Sequence, residues 1–182
     1  MSRDQEMLAW LHETFQLSRP VAQCIESSTD DEMVVCEKGG DGSPCAFHKT
    51  ERDGFYIKNS RQKEIHLLAT DQCFFTVTDE KRCDCIVFDD DYYCFVELKL
   101  SVKPRNFGDN AKEARKQLGN TIRFFEETSK ADFQIFLEFK REAYVVMRDH
   151  VYPRNIAARK EAHIRFLQEY KVPLFEQNKK EF

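Results

Sequence analysis

The sequence lacks several features that identify common protein classes. Nowhere in its 182 residues does an apolar run approach the ~20 residues that a membrane-spanning helix needs. It has no internal repeat, no Gly-rich phosphate loop, no G-x-S-x-G elbow and no H-E-x-x-H helix. These absences exclude a membrane span in these residues and give no support to a P-loop enzyme, an α/β-hydrolase or a zincin.

An excess of basic residues and an export signal are also missing. The net charge of -4 and the pI near 5.8 argue against a generic nucleic-acid-binding surface, so any such contact must use local basic patches. The first residues carry acidic side chains and no signal-peptide core, which predicts a cytoplasmic protein. Length and a hydrophobic content of 41% predict one domain over residues 1–182.

Seven cysteines, an odd number, predict reduced thiols rather than a disulfide framework. Four candidate ligands for a structural zinc lie in the first third of the chain: Cys24, Cys36, Cys45 and His48. No C-x-x-C pair anchors them, and the histidines of the chain share no spacing. Whether the four residues bind zinc stays open at this point.

A two-stranded hairpin is predicted over residues 83–100. β-Branched, aromatic and small apolar residues fill its two halves, and the acidic run Asp89, Asp90 and Asp91 between them suits a turn. The turn lacks the glycine that usually occupies such a position. This hairpin is the element around which the rest of the chain is expected to be organised.

The register of this hairpin places its charged residues together. If Asp84 pairs with Glu97, side-chain alternation puts Lys99 on the same face, together with Phe95. The opposite face is then wholly apolar. A register slipped by one residue would bury Asp84 among apolar side chains, which is costly.

Two carboxylates and an ammonium on one patch suit a hard, oxygen-loving cation such as Mg²⁺ or Mn²⁺. An ion between Asp84 and Glu97 would lower the pKa of a bound water, while Lys99 would orient or deprotonate the attacking water. This is the chemistry of phosphodiester hydrolysis. A structural alternative stays open, in which Asp84 caps a strand and Glu97 with Lys99 form a solvent-facing ion pair of little energetic value.

Asp84 and the run Glu97, Leu98, Lys99 resemble the signature of the PD-(D/E)XK superfamily of nucleases. The resemblance implies a restriction-endonuclease-like core, with metal bound by both carboxylates and by the main-chain carbonyl of Leu98. It implies that Lys99 serves the nucleophilic water and that Gln117, in the following helix, supports the site. No proline precedes Asp84, which is a departure from the signature.

Members of this superfamily often add a carboxylate from a helix before the sheet. A helix is predicted for residues 59–69, with Asn59 as its N-cap, and Glu64 within it is the candidate ligand. Glu26 is a weaker candidate for the same place. A solvated helix glutamate remains the alternative interpretation of Glu64.

The order of predicted elements indicates an α/β fold with a mixed central sheet flanked by helices. Helices are predicted at 4–17, 109–127 and 154–170, and strands at 73–78, 132–139 and 142–148 beside the hairpin. Residues 59–150 would form the core sheet with its crossover helix. Residues 1–58 would be a helical and loop extension, and residues 151–182 a C-terminal helix with a frayed end.

Basic side chains near the hairpin are the candidate contacts to phosphate. They are Lys103, Arg105, Lys112, Arg115 and Lys116. The expected partner is nucleic acid, DNA more than RNA, without a membrane; a homodimer or a partner protein is left open. The alternative function is a catalytically inactive nuclease-like fold that binds nucleic acid or protein.

Overall fold

The computed structural model describes residues 2–15, 21–37, 44–49, 53–75, 80–128, 138–153 and 156–182, which adopt a mixed α/β fold with two mixed sheets and three α-helices. The helices are α1 (Arg3–Thr14), α2 (Phe107–Thr128) and α3 (Ile156–Tyr170). The strands are β1 (Ile25–Ser28), β2 (Glu32–Glu37), β3 (Cys45–His48), β4 (Phe55–Lys58), β5 (Ile65–Ala69), β6 (Cys85–Phe88), β7 (Tyr92–Leu98), β8 (Lys140–Val146), β9 (Leu174–Phe175) and β10 (Lys179–Glu181).

The fold has three layers. The larger sheet has the order β1-β5-β6-β7-β8-β9, and the smaller sheet has the order β10-β4-β2-β3. One apolar cluster joins the larger sheet to the helices, and a second joins it to the smaller sheet. The two central strands of the larger sheet, β6 and β7, are therefore buried on both faces.

The predicted hairpin is confirmed in these central strands. Cys85 pairs with Val96, so the residues just outside, Asp84 and Glu97, lie opposite each other as expected. The predicted apolar face of the hairpin is confirmed, because its residues in β6 and β7 all pack into the cluster shared with the smaller sheet: Cys85, Val87, Cys94 and Val96. The opposite face carries the charged residues but is only partly polar, because Phe95 packs into the cluster under the helices. Charge is confined to one end of that face.

The hairpin turn closes without glycine because an aspartate supplies the missing hydrogen bonds. Asp89 Oδ1 accepts the backbone N–H groups of Asp91 at 2.9 Å and Tyr92 at 2.7 Å. The Nζ of Lys63 lies 3.0, 2.8 and 2.6 Å from carboxylate oxygens of Asp89, Asp90 and Asp91. This one ammonium offsets the repulsion within the acidic run.

The helix predicted for residues 59–69 is wrong, because this segment forms a turn and then β5. All five residues of β5 are buried between the two cores, so it lacks the alternation of a half-buried strand, and the spacing of its apolar residues also fits a helix. The strand predicted for residues 73–78 is wrong for its described part, where Cys73 and Phe74 lie in a turn. Residues 76–78 lie outside the described part of the chain.

The predicted crossover helix is confirmed as α2. Its predicted apolar stripe is fully buried: Ala111, Ala114, Leu118, Ile122 and Phe125. The helix lies in the chain between β7 and β8, which pair side by side as parallel strands. The strand predicted at 142–148 is confirmed as β8. Most of the strand predicted at 132–139 lies outside the described residues. A Cβ at Gly119 would overlap the ring of Tyr170, so glycine permits the close approach of α2 and α3.

Both ends of the chain contribute strands that the sequence did not predict. Residues 1–58, expected to be a helical and loop extension, supply β1 to the larger sheet and three strands to the smaller one. The expected frayed end is wrong, because β10 pairs with β4 and Phe182 is buried, with its N–H donating to the Lys58 carbonyl at 2.9 Å. Burial of this terminal aromatic side chain stabilises the end of the chain.

The prediction that the cysteines are all reduced is wrong, because Cys24 and Cys73 form a disulfide with a Cα–Cα distance of 5.6 Å. Cys24 is therefore unavailable as a zinc ligand. Cys36 and Cys45 are buried and lie outside this disulfide. Among the described residues, no helix has the length and apolar character that crossing a membrane requires.

Candidate active site

The candidate site lies where β7 ends against the middle of α2. Asp84 immediately precedes β6. Glu97 is the second-to-last residue of β7, and Lys99 immediately follows that strand. The face of β7 that carries Glu97 is the face that packs on α2, which contributes Gln117. The local fold thus brings together four residues that were predicted to form the site.

Glu97 is a buried carboxylate with only one of its oxygens satisfied. Its side chain is 1% exposed, and Oε1 lies 2.7 Å from the Nζ of Lys99. Its Oε2 atom is buried and has no hydrogen-bond partner among the described residues. A solvent-facing ion pair is therefore the wrong interpretation of these two residues. An unpaired buried carboxylate oxygen is costly and indicates a missing donor or cation.

Asp84 is a half-buried carboxylate whose pKa is raised to about 7. Burial is the main cause, and it outweighs the hydrogen bond from the Leu98 N–H to Oδ2 at 2.6 Å and the attraction of Lys99. The negative charge of Asp71 raises the pKa further. The protein therefore holds this carboxylate in a place where its charge is not fully compensated.

The pKa values of Glu97 and Lys99 also show that negative charge exceeds positive charge at this site. Burial raises the pKa of Glu97 well above its ordinary value, Asp84 adds to the effect, and Lys99 opposes it without reversing it. Burial alone would lower the pKa of Lys99, but Glu97 and Asp84 reverse this and raise it. Lys99 is therefore a persistent cation, which favours a role in orienting and stabilising charge over a role as a base.

Gln117 holds Lys99 in place from the helix side. It is buried, its Oε1 accepts a hydrogen bond from Lys99 Nζ at 3.0 Å, and its Nε2 donates to the Arg82 carbonyl at 3.3 Å. The guanidinium of Arg82 lies 4.8 Å from the ring centroid of Phe124 on the same helix. The Lys99 ammonium is thus fixed between one carboxylate and one amide.

Asp71 is a neighbour of the site that the sequence analysis missed. The backbone N–H groups of Thr70 and Asp71 donate to the Asp84 carbonyl at 3.0 and 3.2 Å. Its carboxylate raises the pKa of both Asp84 and Glu97. The available signal was an aspartate two residues after a buried strand, which the mistaken helix over that strand concealed.

The two additional ligands that were considered lie elsewhere. Glu64 precedes the opposite end of β5, about 16 Å along the strand from Ala69, so the prediction that it completes this metal site is wrong. The Oε2 of Glu26 accepts the N–H of Phe47 in the smaller sheet at 3.0 Å. Neither residue is seen to contact the Asp84 and Glu97 carboxylates.

The predicted phosphate contacts are exposed with one exception. Lys103 and Arg105 lie in the turn before α2, and Lys112 and Lys116 lie on α2 at one side of a groove of about 500 Å³ between α2 and α3. All four side chains are accessible to a ligand. They form a sparse basic rim, in keeping with the acidic composition of the chain.

Arg115 is the exception, because it is engaged inside the protein. Its Nη1 lies 2.8 Å from the Oε1 of Glu176, a residue whose side chain is fully buried. Use of this guanidinium by a ligand would leave Glu176 with less compensation in the core. This contact gives Arg115 a structural role, and its contact with nucleic acid stays a prediction.

Comparison of the chain with protein-family models, with curated proteins and with solved structures found no match. Within the described residues, three-residue groups of candidate ligands with atoms within 4.8 Å of one another occur at two other places, and neither includes Asp84 or Glu97. The chemistry of the site is therefore inferred from its own residues. Those residues are two undercompensated carboxylates, one fixed ammonium and one buried amide.

Proposed function

We propose that this chain is a metal-dependent nuclease with a restriction-endonuclease-like core, which hydrolyses phosphodiester bonds of nucleic acid, DNA in preference to RNA. One observation carries the proposal. The Oε2 atom of Glu97 is buried and has no hydrogen-bond partner in the described part of the chain, and it lies beside Asp84, another carboxylate whose pKa is raised. A protein that keeps such a costly arrangement usually gains a function from it.

The donor set fits a divalent cation. The carboxylates of Asp84 and Glu97 and the main-chain carbonyl of Leu98 are oxygen donors, which Mg²⁺ and Mn²⁺ prefer. When bound, the ion would lower the pKa of a coordinated water and offset negative charge on the phosphate. The two carboxylates against a single ammonium supply the negative charge that such an ion requires.

Lys99 and Gln117 perform the parts of the chemistry that need a fixed donor. The ammonium of Lys99 keeps its proton and is held by Glu97 and Gln117 at 2.7 and 3.0 Å. A preorganised cation of this kind orients the attacking water and stabilises the charge that develops on the phosphate oxygens. Asp71 adds negative charge beside the same site.

Few exposed basic side chains near the site are proposed to contact the substrate. Lys103 and Arg105 after β7, and Lys112 and Lys116 on α2, would contact the phosphate backbone. Four exposed cations on a chain of net charge -4 predict modest, salt-sensitive affinity. Positioning of the scissile phosphate would then depend chiefly on the active-site residues.

The test is cleavage of labelled single-stranded, duplex and branched DNA, and of RNA, with Mg²⁺ or Mn²⁺. The wild type is compared with Lys99→Met, which removes the ammonium and keeps the bulk, and with Lys160→Met as a matched change at an exposed position on α3. We expect wild type and Lys160→Met to cut at equal rates. We expect Lys99→Met to lose at least about 100-fold in rate, as removal of one stabilising donor does.

Each other outcome contradicts the proposal in a different way. Equal cleavage by wild type and Lys99→Met would assign the activity to a contaminant or to another site. Binding of nucleic acid without cleavage in either metal would identify an inactive nuclease-like binding module instead. A chain that neither binds nor cuts any of these substrates would refute the function altogether.

A further inference from the structure

A second set of metal-ligand side chains lies at the other end of β5. Asp4 is in the first turn of α1, Glu64 immediately precedes β5, and His66 is its second residue. Ligand atoms of the three residues lie within 4.8 Å of one another. The set is separated from the Asp84 and Glu97 site by the length of the strand, about 16 Å.

The two carboxylates of this set have no lysine or arginine within ion-pair distance in the described part of the chain. Burial would raise the pKa of Asp4, but hydrogen bonds with Ser2, His66 and the Gln5 N–H lower it below the ordinary value. The acidic group at the hairpin turn is different, because Lys63 Nζ lies within 3.0 Å of all three of its carboxylates. Among the described residues, one acidic group thus contains a lysine and the other relies on hydrogen bonds.

His66 makes the set more than an acidic cluster. Its side chain is 1% exposed, and its Nε2 lies 3.1 Å from Asp4 Oδ2. Its Nδ1 lies 2.7 Å from the Oγ of Ser27 on the neighbouring strand β1. A partner at the far ring nitrogen is how proteins orient histidines that bind metals, and here it directs Nε2 toward the carboxylate of Asp4.

We propose that Asp4, Glu64 and His66 form a zinc-binding site that is distinct from the proposed active site. One imidazole nitrogen with two carboxylate oxygens is a donor set that suits Zn²⁺, with ligand distances of about 2.0–2.2 Å. The ion replaces the hydrogen bond between His66 and Asp4. Glu64 is exposed, so a fourth position on that side remains open to water.

The ion would connect two separate parts of the chain. It links the N-terminal helix α1, through Asp4, to the start of β5, through Glu64 and His66. Because a ligand that binds only the folded state stabilises it, zinc should raise the melting temperature of the wild type. The site is therefore expected to fasten α1 to the larger sheet.

Ser27, His66 and Asp4 also follow the hydrogen-bond order of a Ser-His-Asp triad. The burial of His66 argues against this use, because a leaving group could not reach the ring to take a proton. A triad would also have no use for Glu64. Covalent labelling of Ser27 by a fluorophosphonate would overturn the zinc assignment.

The experiment is a calorimetric titration of chelator-treated protein with Zn²⁺ in excess Mg²⁺. We expect one zinc per chain in the wild type and in Asp84→Asn, which alters only the proposed active site. Glu64→Gln should bind zinc at least tenfold more weakly, whereas Glu13→Gln, the same change at an exposed position of α1, should not differ from wild type. Glu64 is exposed, so Glu64→Gln should keep its fold, and its melting curve without zinc verifies this.

Cobalt distinguishes this site from the buried thiols. Co²⁺ bound to nitrogen and oxygen ligands should show weak visible bands, without the intense near-ultraviolet charge transfer of a cobalt–thiolate bond. Charge transfer would place the metal on cysteines and refute the assignment. Absence of zinc binding, or equal affinity in Glu64→Gln and wild type, would also refute it. Loss of zinc binding in Asp84→Asn would show that the metal sits at the active site instead.

Discussion

Two buried glutamates in this protein differ in how far neighbouring cations compensate their charge. Among the described residues, Glu97 at the end of β7 has one neighbouring cation, Lys99, and its Oε2 has no hydrogen-bond partner. Glu176, in the segment after β9, is equally buried but lies 2.8 Å from Arg115 Nη1 and 2.7 Å from Arg159 Nε, with His163 Nε2 at 3.6 Å. Arg159 Nη2 also donates to the Glu176 carbonyl at 2.7 Å.

The pKa values follow from these surroundings. Burial would raise the pKa of Glu176, but His163, Arg159 and Arg115 together lower it below the ordinary value. Burial raises the pKa of Glu97, and Asp84 adds to this because a single ammonium faces two carboxylates. Burial alone therefore does not identify a functional acid. The balance between burial and compensation separates a structural carboxylate from a candidate catalytic one.

The largest expected effect is on catalysis. Glu97→Gln should reduce the rate of nucleic-acid cleavage by about 1,000-fold, because an amide cannot supply the charge that the metal requires. Glu176→Gln, the same chemical change at the compensated glutamate, should leave the rate per folded molecule unchanged. Single-turnover assays at saturating Mg²⁺ measure both. Equal loss of rate in the two variants would show that the difference in charge compensation between Glu97 and Glu176 does not identify the catalytic glutamate.

The next effect is on stability at the compensated glutamate. Glu176→Gln should lower the free energy of unfolding by about 2–4 kcal/mol, because two guanidinium groups then lose their buried counter-charge. Urea denaturation at pH 7 measures this change. Glu161→Gln, the same chemical change at an exposed position on α3, serves as the control. A loss below 0.5 kcal/mol would show that Glu176 is not a structural node.

The uncompensated pair should respond in the opposite direction. The displacement of the Asp84 pKa to about 7 corresponds to about 4 kcal/mol against its charged form at alkaline pH. Without metal at pH 8, Asp84→Asn should therefore raise the free energy of unfolding by about 1–3 kcal/mol, since an amide keeps only part of the original contacts. Added Mg²⁺ should stabilise the wild type and not this variant. Destabilisation by Asp84→Asn in metal-free buffer would contradict the proposed repulsion.

The pH dependence of stability should separate the same two regions. The pKa values of Asp84 and Glu97 are raised in the folded state, so their contribution is complete below the unfolded pKa near 4 and is lost as pH rises. Metal-free wild type should thus be less stable at pH 8 than at pH 5.5, and Asp84→Asn should show a shallower decline. Glu176 has a lowered pKa, so its contribution is lost only as pH falls through the acidic range. Parallel profiles for wild type and Asp84→Asn would refute this assignment.

The smallest effects concern two neighbouring cations on α2. Lys116→Ala should weaken nucleic-acid binding a few-fold and reduce the salt dependence by about one charge, with little change in stability. Arg115→Ala should do the reverse, lowering stability by about 1–2 kcal/mol through the loss of its contact with Glu176. Fluorescence anisotropy and urea denaturation measure the two properties. The distinction fails if Arg115→Ala weakens binding more than Lys116→Ala does.

The parts of the fold predicted correctly are those with a local periodic signal. The apolar stripe of α2 repeats at helical spacing, and the acidic turn fixes the register that places Asp84 opposite Glu97. Gln117 at the border of that stripe was expected to lie near the site, and its contact with Lys99 follows from the packing of α2 on β7. Neither inference needed information from distant parts of the chain.

The parts predicted incorrectly depend on partners far away in sequence. The run Ile65–Ala69 is buried on both faces because two cores enclose it, and a short run of buried residues does not distinguish a strand from a helix. The C-terminal strands have no strong local pattern, and they exist because β4 and β8 provide edges to pair with. The predicted position of Glu64 is wrong because the segment around it forms a turn and a strand rather than a helix.

Local spacing along the chain specifies the helix α2, the hairpin with its register, and the grouping of Asp84, Glu97 and Lys99. Which of the buried charges are compensated depends instead on the tertiary structure. Folding places Arg115 against Glu176 and Asp71 beside Asp84, and within the described residues it provides no donor to Glu97 Oε2. The physical reason is that the free energy of a buried charge depends on the partners that folding brings within a few ångströms, whatever their separation along the chain.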